Sequence, residues 1–161
     1  MEINADSLSI EIDGTEIILN VSFDIPDKSF TCIVGPNGSG KSTILKAISR
    51  EIRSYHGYIS EVRLDELSYL PQNLESPPFL TVFDVVRTGF YDKTMGKEEE
   101  LASTDDLLRQ CGVHSVKQRT FADISAGEQQ RVWLAFVIAQ SRDLILMDDP
   151  LSSVDLLSRR G

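Results

Sequence analysis

The sequence predicts a mixed α/β fold, and three observations carry that prediction. Apolar and polar residues alternate through most of residues 8–25, as they do in strands with one buried face. The runs 30–34 and 144–147 are mainly apolar without alternation, which is typical of short strands covered on both faces. Patterns with helical spacing follow or separate these strands. The order of strand, helix, strand, helix and strand therefore indicates an α/β core.

The amino-terminal region predicts antiparallel strands. Leu8, Ile10 and Ile12 alternate with polar residues, and Asp13-Gly14 is a dipeptide typical of hairpin turns. The alternation resumes after the turn and ends before a proline. We therefore expect Leu8–Ile25 to form antiparallel strands.

The rest of the chain predicts further strands and helices. Two helices carry capping-box signals, because a hydroxyl residue and an acid three residues later satisfy each other's backbone N–H groups. The predicted elements are a buried strand at Phe30–Val34, a helix from Lys41 to about Glu51, strands at Tyr58–Val62 and Leu67–Leu70, a helix capped by Thr81 with Asp84, a helix from about Lys97 to Gln110 ended by Gly112, a helix capped by Ser125 with Glu128, and a buried strand at Leu144–Met147.

Composition and charge exclude some classes of protein. The chain has 161 residues and a formal net charge of −9, which argues against a protein that coats nucleic acid, because phosphate neutralisation needs a basic surface. A nucleotide needs only a local anion site. The amino terminus lacks a secretory-signal pattern, and the longest apolar run, Val132–Ala139, is too short to span a bilayer. Cys32 and Cys111 show no metal or redox spacing, so we expect buried or unreactive thiols in a reducing compartment.

A glycine-rich loop is the strongest chemical signal. Residues 35–42 read GPNGSGKS, which fits the pattern G-x-x-x-x-G-K-[ST] between a predicted strand and a predicted helix. Glycines let successive backbone N–H groups turn inward around phosphate oxygens, and the following helix adds its positive N-terminal end. We expect Lys41 to reach the β- and γ-phosphates and Ser42 to ligate Mg²⁺. A plain glycine-rich turn is the alternative. The candidate ATP-binding residues here are Gly35, Pro36, Asn37, Gly38, Ser39, Gly40, Lys41, Ser42 and Thr43.

Two acids follow the last predicted strand. Leu144–Met147 delivers Asp148 at its C-terminal end, which suits a contact with Mg²⁺, although on this run alone a plain core strand is the alternative. Asp149 can orient and polarise the attacking water in phosphoryl hydrolysis, or it is a solvated acid or an outer acid of the metal site. Together with the glycine-rich loop, the acids predict binding of Mg-ATP.

Residues 124–131 read ISAGEQQR, which resembles the LSGGQ signature of ABC ATPases and the Gln-Arg pair after it. Exposed N–H groups and a hydroxyl at a helix N-terminus can bind a phosphate. From the residues alone, an ordinary capping box is the alternative. The resemblance implies that this phosphate belongs to ATP held by the opposite subunit, so that two subunits enclose two ATP molecules. It assigns this role to Ser125, Ala126, Gly127, Glu128 and Gln129.

Further matches follow in the family's order. Gln72, in Tyr-Leu-Pro-Gln, resembles the Q-loop glutamine, which implies a ligand of Mg²⁺ and water that senses the transmembrane partner. Pro150–Asp155 resembles the D-loop, with Asp155 as its acid. The resemblance thus implies catalytic roles for Asp149 and Gln72 and metal contacts for Ser42, Gln72 and Asp148.

The family also implies an architecture. We expect a P-loop NTPase (RecA-like) core with an N-terminal antiparallel β subdomain and an inserted α-helical subdomain, and with the last core elements missing. Residues 1–74 are expected to hold the β subdomain, the Walker A loop and the Q-loop. Residues 75–122 form the expected helical insertion, and residues 123–161 hold the signature helix, the Walker B strand and the D-loop.

Shorter matches point to one branch of the family. Thr81–Val86, Gly89–Tyr91 and Arg131–Ala135 resemble ATPases of importers for iron-siderophore, haem, cobalamin or metal ions, although Trp133 is equally compatible with a plain helix core. The implied protein is a dimeric ATP-binding subunit with ATP and Mg²⁺ as cofactors. It hydrolyses ATP on the cytoplasmic face of the membrane, beside permease subunits and indirectly a substrate-binding protein. The alternatives are a nucleotide-binding module without turnover and a soluble ABC ATPase of repair or translation.

Some positions depart from the family pattern. Ile12 stands where an aromatic residue stacks on adenine, so we expect weaker affinity or looser base choice, which an ATP-against-GTP titration tests. Asp149 stands at the catalytic glutamate. One methylene fewer withdraws the carboxylate by about 1.3–1.5 Å, and misplacement near 1 Å can cost about a hundredfold, so we expect slow hydrolysis. We expect small effects from Ala126 and Glu128.

The chain ends at Gly161, before the switch histidine of the family, and His56 and His114 both precede the signature. We expect a truncated ATPase domain: a fragment, the product of a shortened gene, or a chain completed by a second polypeptide. We also expect low solubility or oligomerisation, because an incomplete parallel sheet exposes an open edge.

Overall fold

A computed structural model describes residues 1–72, 74 and 77–149. The chain divides into two compact units, Met1–Tyr69 and a second that begins at Leu70. In the described residues, no helix combines the length and the apolarity needed to cross a membrane. The helices and strands are β1 (Ile3–Ile12), β2 (Thr15–Ile25), α1 (Lys41–Ile48), β3 (His56–Ile59), β4 (Leu67–Leu70), α2 (Val82–Thr88), α3 (Lys97–Gln110), α4 (Ala126–Ala139) and β5 (Leu144–Met147), with short 3-10 turns at Leu64–Glu66, His114–Val116 and Phe121–Asp123.

The first unit is built on an antiparallel sheet in the order β2-β1-β3. β1 and β2 form a hairpin in which Ile12 pairs with Thr15. Asp13 and Gly14 have φ angles of 50° and 76°, the left-handed pair that the favoured two-residue hairpin turn requires. The predicted antiparallel strands are therefore confirmed, and β1 begins earlier than the alternation indicates, at Ile3.

One face of this sheet carries the core of the first unit. Ile3, Leu8 and Ile10 have no exposed surface. Ala47 and Ile48 of α1 are buried as well, and α1 packs against β2. Burial of one aliphatic side chain contributes about 1.5–3 kcal/mol, so the buried residues of this face and of α1 stabilise the first unit.

The predicted buried strand at Phe30–Val34 is wrong. The segment has no regular secondary structure, and the side chains of Phe30 and Val34 are 93% and 84% exposed. Cys32, within the same run, is exposed too. A strand covered on both faces needs hydrogen-bonded neighbours and a layer on each side, and no strand among the described residues pairs with this segment. Apolar composition alone therefore does not make it a strand.

The second unit has a helical core. α2, α3 and α4 pack against one another. Gly89, just after α2, permits a close approach to α4, because a Cβ atom there would lie 2.7 Å from both the Cβ of Ala139 and the carbonyl oxygen of Phe136. The buried residues of this core are Val82, Val85, Val86, Phe90, Leu108, Val113, Phe121, Ile124, Val132, Ala135 and Ala139.

Both predicted capping boxes are present. The Thr81 hydroxyl accepts the N–H of Asp84 at 3.1 Å, and the Asp84 carboxylate accepts the N–H of Thr81 at 3.2 Å. The same exchange joins Ser125 and Glu128 at the start of α4. α3 has the predicted bounds, Lys97–Gln110. The helices predicted from capping and spacing are therefore confirmed, although α1 ends at Ile48, before the predicted end at about Glu51.

β5 is only partly buried. Leu146 is buried, whereas Ile145 is 36% exposed, so the predicted strand is confirmed and its complete burial is wrong. Among the described residues, β5 belongs to a two-stranded sheet with β4, which leaves part of its surface uncovered. The N–H of Asp148 donates to the carbonyl oxygen of Leu70, the last residue of β4, at 2.9 Å. This bond fixes the point at which β5 ends.

Candidate functional site

The glycine-rich loop lies in the first unit, directly before α1. Gly40 precedes α1 in a left-handed conformation, with φ of 86°. The Lys41 ammonium donates to the carbonyl oxygens of Gly35 and Pro36 at 2.9 and 2.8 Å. The N–H of Ser39 donates to the carbonyl oxygen of Pro36 at 3.2 Å. The loop is therefore closed on itself and holds a cation at the helix start.

This loop is suited to a bound phosphate. Gly35, Pro36, Asn37, Gly38 and Ser39 are exposed. The first N–H groups of α1 have no partner within the helix and carry partial positive charge. A phosphate placed there would accept hydrogen bonds from these groups and compete with the two loop carbonyls for the lysine ammonium.

Gly40 is required by the space around it as well as by its φ angle. A Cβ atom at this position would lie 2.4 Å from Cδ1 of Ile18, a buried residue of β2. Any larger residue would force either the Ile18 side chain or the loop to shift. The pattern's last glycine therefore places Lys41 at the start of α1.

Ile12 is the last residue of β1, and its side chain is 40% exposed. An aliphatic side chain of this kind can cover a base but lacks the face of an aromatic ring. A contact between Ile12 and a nucleotide base stays a prediction.

Two acids and one amide lie close together in the second unit. Asp148 follows β5 and is 8% exposed. The Gln72 side-chain amide donates to a carboxylate oxygen of Asp149 at 3.2 Å, across 77 positions of sequence. An ionised carboxylate only accepts hydrogen bonds, so the NH₂ side of the amide faces Asp149 and the amide oxygen is left for another partner. Asp149 has φ of 47°, a left-handed conformation that aspartate adopts more readily than most residues.

A cavity of about 130 Å³ lies beside these groups. α4 lines it with Ala126, Gln129, Gln130 and Trp133, whose spacing of three, four and seven residues places them on one helical face. Gln130 and Trp133 were not predicted as cavity residues, although this spacing is visible in the sequence. The full lining is Leu70, Pro71, Gln72, Leu74, Ala126, Gln129, Gln130, Trp133, Asp148 and Asp149.

The oxygen atoms of this cavity suit Mg²⁺. The carboxylates of Asp148 and Asp149 and the amide oxygen of Gln72 are hard ligands of the kind that Mg²⁺ prefers. Across the described part of the chain, no group of three or more His, Cys, Asp or Glu residues is arranged to hold a metal ion. Mg²⁺ that is bound together with a nucleotide takes most of its ligands from phosphates and water and only one or two from the protein. It therefore needs no such group.

The signature segment begins α4. The Ser125 hydroxyl and the Ser125 N–H donate to the Glu128 carboxylate at 2.8 and 2.9 Å. These bonds, the hydroxyl's first, hold the pKa of the Glu128 carboxyl below its usual range. Ala126 and Gly127 lie between them in the first turn. Glu128 is therefore ionised at neutral pH and offsets part of the positive potential at the helix start.

Gln129, the last of the predicted signature residues, is turned back toward the protein. Its amide donates to the carbonyl oxygen of Phe121 at 3.1 Å. One turn further along α4, the Trp133 ring packs edge-on against the rings of Phe121 and Phe136, with centroid distances of 5.0 and 5.6 Å. Trp133 thus has the packing role that was considered as its alternative.

The two units hold different parts of the predicted site. The glycine-rich loop and Ile12 belong to the first unit, whereas Gln72, the signature segment and the two acids belong to the second. The predicted D-loop, Pro150–Asp155, lies outside the described residues, so the role of Asp155 stays a sequence-based prediction.

A glycine-rich loop at a helix N-terminus and a strand that ends in an acid pair define a phosphate-loop nucleotide-binding protein. The match to a family profile identifies which phosphate-loop family this is. The chain belongs to the ABC transporter family, whose profile matches residues 18–152. The family and the α/β fold predicted from the residues are therefore confirmed.

Two curated proteins and one solved structure are similar to this chain over most of its length. The iron(3+)-hydroxamate import ATP-binding protein FhuC of Bacillus subtilis (strain 168) is 32% identical, over 96% of this chain and 63% of its own length. The zinc transport system ATP-binding protein TroB of Treponema pallidum (strain Nichols) is 34% identical, over 99% and 64%. A solved ATP binding subunit of an ABC transporter has a TM-score of 0.80 at 21% identity, over 95% and 68%, which shows the fold alone. The chain spans slightly less than two thirds of the length of the two curated relatives.

Proposed function

We propose that this chain is the ATP-binding subunit of an ABC importer and that it hydrolyses ATP to power transport. The observation that carries the proposal is the glycine-rich loop, in which the Lys41 ammonium lies at the N-terminus of α1 in a chain of the ABC transporter family. A lysine held at a helix start by two replaceable carbonyl contacts is poised to transfer to phosphate oxygens, which are stronger acceptors because they are charged.

The residues of the site have separate roles in this proposal. The loop amides and Lys41 bind the phosphates, and Ser42, Gln72 and Asp148 would hold Mg²⁺, which supplies positive charge to the phosphate oxygens when it is bound. Asp149 orients the attacking water and accepts its proton. The hydrogen bond from Gln72 to Asp149 supports this role, because it fixes the carboxylate at the cavity.

The proposed partners follow from the same assignment. The signature residues, Ser125 to Gln129, serve the ATP of a second subunit, so we propose a dimer. Permease subunits hold the dimer on the cytoplasmic face of the membrane, and a substrate-binding protein delivers the cargo to them. The relatives' names, hydroxamate import and zinc transport, support an iron-siderophore, metal ion or cofactor as that cargo.

A second candidate is a module that binds nucleotide without turnover. Asp149 favours it, because its side chain is one methylene shorter than the glutamate expected from the family resemblance. Phosphate release from Mg-ATP by the chain, measured beside Lys41→Ala, separates the two. Release that Lys41→Ala abolishes supports the enzyme, whereas binding without release supports the module. Equal phosphate release by the unaltered chain and by Lys41→Ala would show that the phosphate loop takes no part in the reaction.

A further inference from the structure

We propose that Gln129 is a positioning residue. Its side chain holds the start of α4 to two paired backbone segments, which link the turn before the signature to the start of α2. These two segments, residues 80–83 and 117–121, are called the clasp. The role of Gln129 in ATP use rests on the proposed function. The hydrogen bonds of Gln129 and of the clasp all lie within the second unit.

The clasp is made of backbone hydrogen bonds. The N–H of Phe121 donates to the carbonyl oxygen of Leu80 at 2.8 Å, and the N–H of Val82 donates to that of Arg119 at 3.0 Å. Between them, Thr81 and Thr120 form a β-bridge. A third bond, from the N–H of Phe83 to the carbonyl oxygen of Lys117 at 3.0 Å, extends the pairing. The start of α2 therefore cannot shift without the segment that leads into the signature.

Gln129 connects the clasp to α4. Its amide donates to the carbonyl oxygen of Phe121 at 3.1 Å, and the Phe121 side chain is fully buried. A buried carbonyl that loses its donor carries a cost larger than the bond's own contribution. The Gln129 amide is thus engaged by the protein, so its part in the proposed signature site is to position the segment and not to contact phosphate.

The position of Gln129 makes this bond relevant to the signature. Gln129 is the fourth residue of α4, and its N–H donates to the carbonyl oxygen of Ser125 at 2.9 Å. The side chain and the backbone of one residue therefore tie Phe121 to Ser125. A fixed Gln129 holds the first turn of α4 in one orientation, and with it the N–H groups proposed to bind a phosphate.

The chain contains its own reporter of this bond. Trp133 is the single tryptophan, and its ring packs on the ring of Phe121 at a centroid distance of 5.0 Å. It lies four residues after Gln129, on the same face of α4. Trp133 fluorescence therefore responds to displacement of Phe121 from α4.

The first test compares Gln129→Leu with Gln118→Leu in the full chain without nucleotide. Gln118 is an exposed glutamine of the clasp and serves as the matched control. We expect amide hydrogen exchange at Glu128 and Gln129, whose N–H groups donate to Ser125, to rise about tenfold in Gln129→Leu, with a shifted Trp133 emission, because one hydrogen bond to a buried acceptor is lost. Exchange and emission equal to those of Gln118→Leu would overturn the proposal.

The second test uses Gln129→Glu, which keeps the size of the side chain. Its ionised carboxylate cannot donate to the Phe121 carbonyl, whereas the protonated acid can. We expect fast exchange at Glu128 and Gln129 at pH 7 and partial recovery of slow exchange as the pH falls toward about 5, measured against Gln118→Glu. The absence of this recovery relative to Gln118→Glu would contradict a hydrogen-bonding role.

A kinetic test separates this inference from the proposed function. If Mg-ATP turnover is observed, we expect Gln129→Leu to lower kcat about tenfold with little change in KM, because the phosphate loop is untouched. Equal kcat in Gln129→Leu and Gln118→Leu would contradict the positioning role. A chain that binds no ATP at all would refute the proposed function, while the exchange measurements still decide the role of Gln129.

Discussion

At the scale of single residues, the proposed catalytic acid is Asp149. Its side chain is one methylene shorter than the glutamate that the family resemblance leads us to expect here, and its backbone is left-handed, with φ of 47°. The Gln72 amide donates to its carboxylate at 3.2 Å. The hydrogen bond orders the acid, but it also draws the acid toward Gln72. Slow hydrolysis is the expected result of both effects.

Lengthening this acid tests that explanation. We expect Asp149→Glu to raise the rate of phosphate release at saturating Mg-ATP by about tenfold, because the carboxylate advances toward the attacking water. Asp149→Asn, which keeps the length and removes the base, should lower the rate. A slower Asp149→Glu protein with unchanged nucleotide affinity would show that reach does not limit the reaction.

Gly38 and Gly40 form a matched pair in the phosphate loop. Both have positive φ angles, 82° and 86°, so alanine at either position costs about 1 kcal/mol of free energy of unfolding. Only at Gly40 does the new Cβ atom meet a buried side chain, 2.4 Å from Cδ1 of Ile18.

We therefore expect Gly40→Ala to lose at least about 1 kcal/mol more free energy of unfolding than Gly38→Ala. Urea unfolding of both proteins measures the difference. Equal losses would mean that the Ile18 side chain or the loop yields to the new Cβ atom at no cost.

At the scale of elements, the capping boxes of α2 and α4 have the same local chemistry and different proposed uses. We expect Thr81→Ala and Ser125→Ala each to lower the free energy of unfolding by about 1 kcal/mol, as loss of an N-cap hydroxyl does. Only Ser125→Ala should also weaken Mg-ATP-dependent association of two chains, measured by sedimentation. Equal weakening by Thr81→Ala would mean that Ser125 acts only as the N-cap of α4.

The end of α3 is held by a charge cluster around Asp105. The Asp105 carboxylate bonds the Lys117 ammonium at 2.5 Å and pairs with Arg109 and with His114. Lys117 first, and then the charges of Arg109 and His114, hold the pKa of Asp105 below its usual range.

A carboxyl with a lowered pKa stabilises the folded state above its unfolded pKa of about 3.9 and loses that contribution as the pH falls through the folded pKa. We expect Asp105→Asn to be less stable than the unaltered chain at pH 7, with a difference that shrinks below about pH 4. Urea unfolding at several pH values measures it. A difference that persists unchanged at pH 3 would contradict the ionic origin.

The sequence predicts elements well where the signal is local. The boxes at Thr81 and Ser125 and the bounds of α3 depend on residues within one or two turns, and the structure confirms them. The run Phe30–Val34 depends on neighbours elsewhere in the chain, and its apolar composition did not identify which strands would cover it. Burial is a property of the surroundings, so the local pattern was insufficient here.

At the scale of the whole molecule, the motifs named the family, whereas the spatial contacts emerged only from the fold. Gln72 and Asp149 lie 77 positions apart, and no spacing rule predicts that their side chains meet. The hydrogen bond from Gln129 to Phe121 could not be predicted from the sequence either, because a glutamine in the first turn of a helix is usually exposed to solvent. The phosphate loop needed no such contact, since all of its groups lie within eight consecutive residues, 35–42.

The central claim is that residues 35–42 bind nucleotide phosphates through Lys41. Titration calorimetry of Mg-ATP and of AMP into the full chain, Lys41→Ala and Lys46→Ala tests it most directly, because Lys46 is an exposed lysine of the same helix. We expect the chain and Lys46→Ala to bind Mg-ATP alike and more tightly than AMP, and Lys41→Ala to bind it at least about tenfold more weakly. Equal affinity of Lys41→Ala, or equal binding of AMP and Mg-ATP, would contradict the claim.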